Sequence, residues 1–305
     1  MSSDTITATG TAGPPVLATT WQRRSQFKLA MRALRRDRVA VGALVVLVLV
    51  TLAAVLAPWI SPYDPLAGDP QLRLLPPFSE GHLLGLDGQG RDILSRLIWG
   101  GRYSLSVAVV PVLCAGLVSL VIGMVGGYLG GRWGDSVMRL LDIVFAFPIV
   151  LFAIALAAVL GAGLVNTMVA VGVTLVPYMS RVVYTATVQE SAKEYVEAAR
   201  AAGAGHLEIL RKQLLPNVLS PLVVYGTTLA GLVIVLAAGL SFLGVGITPP
   251  APDWGVMTSD GRQVLLEGYA HVATVPGLVI LVVALAFNLL GDGIRDALDP
   301  HKQTA

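Results

Sequence analysis

Long apolar runs alternate with polar stretches along the whole chain. The runs fall at about 39–57, 104–128, 137–160, 166–187, 218–243 and 272–290. Positions 39–57 hold no charged residue. A helix rises about 1.5 Å per residue, so some 20 residues cross a hydrocarbon core of about 30 Å. The pattern therefore predicts an all-α membrane protein of six transmembrane helices. The run at 39–57 follows a long charged stretch and exceeds the apolar region of a signal peptide, so it is read as a retained helix.

The polar stretches differ in kind. Residues 1–22 are mostly Ser, Thr, Ala, Gly and Pro and are expected to form a disordered cytoplasmic tail. Residues 23–38 are basic, with Phe27, Met31 and Leu34 at helical spacing, which predicts an amphipathic segment along the inner leaflet. A nucleic-acid arm is the competing reading of those charges, and the adjoining span favours the bilayer. Residues 39–300 hold the six spans as one domain, with an outer loop at 58–103. Pro58, Pro62, Pro65, Pro70, Pro76 and Pro77 exclude a continuous helix at the start of that loop. Pro148 lies within the third run and Pro177 within the fourth; each is read as a kink, static or able to rearrange. Gly123, Gly127 and Gly131 recur at every fourth position, a spacing that lets helices approach closely in lipid.

The stretch at 190–216 interrupts the second half of the chain. Helix formers occupy both sides of Gly203, and Gly203 and Gly205 permit a sharp turn. The expectation is two short helices at an angle, closed by Pro216, with Leu207, Leu210 and Leu214 on one face beside Arg211 and Lys212.

Composition agrees with a membrane protein. Of 305 residues 55% are hydrophobic and 13% charged, against about 25% charged in soluble domains. With both termini assigned to the cytoplasm, five of the 21 Lys and Arg (Arg73, Arg91, Arg96, Arg102, Arg262) fall outside and the other sixteen inside. Positive residues mark cytoplasmic segments, so this orientation is preferred and the 190–216 loop faces the cytoplasm. Cys114 is the single cysteine, expected as a small buried hydrophobe. The four histidines lie in separate segments, and no Gly-Lys pair exists to build a phosphate-binding P-loop. The central parts of the spans carry no Asp, Glu, Lys or Arg, which weighs against a proton-coupled carrier. Thr174, Tyr178, Ser180, Ser241 and Asn288 are the polar groups in or near spans, read as packing contacts between helices.

Several blocks resemble one family. Glu197-Ala198-Ala199, then Gly203, then Gln213-Leu214-Leu215-Pro216 is similar to the EAA loop of ABC-importer permeases. His82 to Arg96, the Gly101–Leu105 run, Leu240 to Gly255 and Phe287 to Pro300 resemble the C-type permease of dipeptide, oligopeptide and nickel importers. The resemblance implies a cytoplasmic coupling-helix loop in which Glu197, Ala198, Ala199, Gly203, Leu207, Leu210 and Arg211 contact an ATPase subunit. It implies an outer-face contact at Asp253 and Trp254. It implies a permease subunit of an ATP-driven importer of di- or oligopeptides, with nickel chelates and glutathione-like peptides open as alternatives. The chain would be no enzyme and hold no cofactor; ATP and Mg would bind partner ATPase subunits or domains. The other implied partners are a B-type permease, an extracytoplasmic substrate-binding protein and the lipid bilayer of the bacterial inner membrane, with no nucleic acid. Ala237 stands where the family usually has glutamate. A lone secondary carrier, or a scaffold that transports nothing, are the readings from other classes.

Overall fold

Helix α1 (Arg38–Val55) opens the bundle. The computed structural model describes residues 31–79 and 81–298; the expected tail and most of the basic segment lie outside these. Asp37 caps α1, accepting from the N–H groups of Val39 and Ala40, which otherwise lack partners inside the helix. Most of α1 is exposed, with Leu44, Val45, Val48, Leu49 and Leu52 turned outward. An apolar face of this kind suits hydrocarbon rather than water. A short helix α2 (Ala57–Ile60) leads into the outer loop.

Helix α3 (Ile93–Leu129) is 37 residues long, about 55 Å, and outruns the bilayer core. It begins eleven residues before the apolar run starts, so the irregular part of the outer loop ends at Asp92 rather than at 103. Asp92 caps it, accepting 2.7 Å hydrogen bonds from the Ser95 N–H and hydroxyl. Arg102 of α3 donates to the carbonyls of Ala54 and Val55 at 2.7 and 2.9 Å, satisfying the end of α1.

The third run is not one straight span. It forms α4 (Gly131–Phe145) and α5 (Ile149–Leu160), bent by 85°. Pro148 has no N–H to continue the ladder and disfavours helical backbone at Phe147. Helices α6 (Leu164–Ser191), α9 (Leu215–Phe242) and α11 (His271–Leu298) complete the spans, with short α7 (Glu194–Ala201) and α8 (His206–Glu208) between α6 and α9, and α10 (Trp254–Leu265) before α11. Among the described residues five helices are long and apolar enough to cross a membrane, and six if the bent pair counts as one span.

Small residues line the seam between α3 and α6. A Cβ on Gly123 would lie 2.6 Å from Val183 Cβ, and one on Gly127 2.9 Å from Thr187 Cβ. Gly131 does not share this seam: it has φ +59° in the turn into α4 and open space around it. Ser119 adds a 3.1 Å bond to the Val176 carbonyl across the seam. One buried cluster joins Leu175, Met179 and Val183 of α6 to Val218, Leu229 and Val233 of α9. A second joins α1, α3, α10 and α11 around Leu47, Ile93, Trp254 and Val283. Cys114 is exposed on α3, contrary to the expected burial. Ala237 packs with Val107 and Ile247 in a buried cluster, so the site of the usual glutamate is apolar here.

Candidate functional site

The loop between α6 and α9 is built around one glycine. Gly203 has φ +83°, a backbone that side chains with a Cβ rarely adopt. It ends α7 with paired closing bonds: the Gly203 N–H donates to the Arg200 carbonyl and the Ala204 N–H to the Ala199 carbonyl, both at 3.0 Å. Glu194 and Glu197 lie in the first turn of α7 and Arg200 in the last, the order the helix dipole favours. Beyond Gly203 the chain turns helical again and stays so. Residues His206–Phe242 form one run, through a π turn at Ile209–Leu214. Pro216 does not close the loop; it sits in the first turn of α9, where its missing N–H is tolerated. The second short helix is thus the protruding end of the fifth span.

One side of the loop is held and the other is open. Val196, Ile209 and Leu214 are buried against the bundle. Tyr195 donates to Glu190 at 2.5 Å and accepts from Asn217 at 2.9 Å, tying α7 to both adjoining spans. Tyr128, at the end of α3, shares a 2.9 Å hydrogen bond with His206 Nδ1 and lies 5.3 Å beneath the Arg200 guanidinium. Sequence spacing gave no sign of Tyr128, 78 positions from its partner. The exposed side carries Glu197, Ala198, Gly203, Leu207 and Arg211. Leu207 is 77% exposed, whereas Leu214 is buried and Leu210 packs partly on the core. The π turn rotates the run, so the three leucines do not share a face as the spacing predicts. Ala199 is half-buried and turned to the bundle.

The outer end has a different character. Trp254 is 1% exposed and Asp253 4%, so neither offers an outer-face contact. Both are interior pins. The Trp254 ring N–H donates to the Leu97 carbonyl at 2.9 Å, and a Cβ on Gly100 would lie 2.9 Å from that ring. Asp253 accepts from Ser104 Oγ at 2.6 Å and from the N–H groups of Gly255 and Val256, capping α10. Burial raises its carboxyl above the usual range, against the lowering effect of those bonds. Beside it, Asp87 accepts from Arg91 at 2.7 Å and Arg96 at 2.8 Å, and Arg91 reaches Asp260 at 3.2 Å. These pairs lock the outer loop to α3 and α10. The Gly88–Arg91 turn that carries Arg91 is therefore structural. The open surface nearby is a cavity of about 760 Å³ lined by Tyr63, Trp99, Tyr103 and Pro249–Pro252. Among the described residues no three metal-ligating side chains cluster.

The described residues form a helical bundle of membrane-spanning length with a polar loop standing off one end, the build of a multi-pass membrane protein. The comparisons with known proteins name its family. Residues 93–304 match the inner membrane component of binding-protein-dependent transport systems, and residues 25–77 match the N-terminal TM domain of oligopeptide transport permease C. The chain belongs to this family of ABC-importer permeases. It is 40% identical to the di/tripeptide transport system permease protein DppC of Pseudomonas aeruginosa, over 92% of this chain and 94% of that one. It is also 40% identical to the glutathione transport system permease protein GsiD of Pectobacterium atrosepticum, over 91% and 92%. A solved chain of the MetNI methionine ABC transporter, in inward-facing conformations, shares the fold. It has a TM-score of 0.56 and 22% identity over 68% of this chain and 98% of that chain. The protein is thus a multi-pass permease subunit of an ABC importer and not itself an enzyme.

Proposed function

We propose that this permease imports small peptides, and that its 190–216 loop is the surface through which partner ATPases drive it. The observation that carries the coupling role is the continuity of His206–Phe242. A push on the exposed residues of α8 passes without a joint into the fifth span. Glu197, Ala198, Gly203, Leu207 and Arg211 form the docking side, with Leu207 the apolar anchor; Ala199 and Leu210 back it from the bundle. ATP and Mg belong to the ATPases, and alternating access follows as the loop moves with their closure. The remaining partners are a second permease and an extracytoplasmic binding protein, the whole seated in the bacterial inner membrane with both termini cytoplasmic. Di- or tripeptides are the favoured substrate class, on the names of the relatives; a glutathione-like peptide is the second reading, since relatives of equal identity carry that name.

Purification of the chain from its native membrane in mild detergent tests the reading. A second permease and P-loop ATPases should accompany it. Reconstituted with the binding protein, the complex should take up labelled dipeptide only with ATP. A chain recovered alone, or uptake independent of ATP, would count against it.

A further inference from the structure

The cytoplasmic ends of three spans meet beside the start of the described chain. Residues 31–36 are helical, and a Cβ on Gly293 of α11 would lie 2.3 Å from Ala40 Cβ and 3.4 Å from Leu34 Cδ1. The segment is therefore pressed against the end of α11. It leaves an apolar cavity of about 240 Å³, lined mainly by Met31, Leu34, Leu219, Val223, Ile294 and Leu298. Arg32, Arg35, Arg36 and Arg38 lie on the same few turns as Met31 and Leu34, exposed and without an ion pair among the described residues. The nearby acids do not cancel them. Asp37 is engaged by the Val39 and Ala40 N–H groups, while Asp292 and Asp296 share the last turns of α11 with Arg295.

We propose that this corner is a binding site for an anionic phospholipid of the inner leaflet, its phosphate held by Arg32, Arg35 and Arg36 and part of one acyl chain lying in the cavity. Charge complementarity selects the occupant. Arginine forks match phosphate oxygens, and a cluster of cations just inside a first span attracts anionic headgroups. The apolar lining asks for a hydrocarbon chain attached to that phosphate. An acidic protein surface or a free phosphate would satisfy the arginines and leave the cavity unfilled.

The test is lipid exchange on the purified full-length chain in nanodiscs of phosphatidylcholine with graded phosphatidylglycerol, read by native mass spectrometry. The wild-type chain should retain phosphatidylglycerol over phosphatidylcholine, with a preference that shrinks as salt rises. Joint Arg32→Gln, Arg35→Gln and Arg36→Gln should weaken phosphatidylglycerol retention at least about tenfold and leave phosphatidylcholine unchanged. Val223→Trp, which fills the cavity and alters no charge, should lower retention as well. Equal retention of the two lipids by the wild type would overturn the proposal, and needs no variant to fold. Persistence of the preference in the glutamine variant would also overturn it. So would full displacement of phosphatidylglycerol by inorganic phosphate.

Discussion

Single residues set the outer end of this permease. Asp253 is buried and its carboxyl is raised by that burial. The folded state therefore holds the proton more tightly than the unfolded chain does. The ionised form costs stability at neutral pH, and that cost fades as the pH falls through the raised folded value. Asp253→Asn keeps an oxygen for the Gly255 and Val256 N–H groups and carries no charge. It should melt at or above the wild-type temperature at pH 8, with the gap narrowing toward pH 5. A gap that widens on acidification would refute the sign. The same residue shows why part of the site was hidden in the sequence. A tryptophan beside prolines in a turn reads as exposed, and only the Gly100–Gly101 step on α3 makes room to bury it. Cys114 erred in the opposite direction: an apolar neighbourhood in sequence is an exposed side of a helix in space.

At the scale of elements, the loop has one sharp bend and then runs helical into the fifth span. Gly203 supplies that bend at φ +83°. Gly203→Ala should strain the turn by about 1–2 kcal/mol and lower substrate-stimulated ATP hydrolysis in part. Gly203→Pro, which cannot take that φ and loses the bond to the Arg200 carbonyl, should abolish the stimulation while membrane insertion stays normal. Unchanged stimulation in the proline variant would remove the coupling role. Tyr128 ties the loop to α3, and α3 is fitted to α6 through Gly123 and Gly127. Tyr128→Phe loses one hydrogen bond, worth about 0.5–1.5 kcal/mol, and keeps the ring under Arg200. Tyr128→Ala loses both contacts. Stimulated hydrolysis should fall from wild type to Phe to Ala, with basal hydrolysis of the complex unchanged; a parallel loss of basal rate would mark a folding defect. The existence of the loop was legible from the EAA spacing. Its continuity with the fifth span was not, because Pro216 reads as a stop unless the π turn before it is known. The kink at Pro148 was legible, but its 85° size was not, since apolar residues continue on both sides.

The whole molecule combines a largely exposed, apolar α1, a tightly packed α3–α6–α9 centre and two unlike ends. Charge-locked loops close one end, and the other carries the 190–216 loop. Hydropathy was enough to read the succession of spans, because a bilayer forces backbone groups into helices. Side-chain pairings across 100 positions or more, such as Ser104 with Asp253, leave no periodic trace and had to come from the structure. The central claim is that the exposed side of the 190–216 loop docks on an ATPase. Cysteine cross-linking tests it most directly, in the assembled complex after Cys114→Ser removes the native thiol. Ala198→Cys and Leu207→Cys should cross-link to an ATPase subunit, with yields that change on ATP binding, while Leu66→Cys in the outer loop should not. Cross-links from Leu66→Cys, or none from Ala198→Cys and Leu207→Cys in an intact complex, would contradict the account.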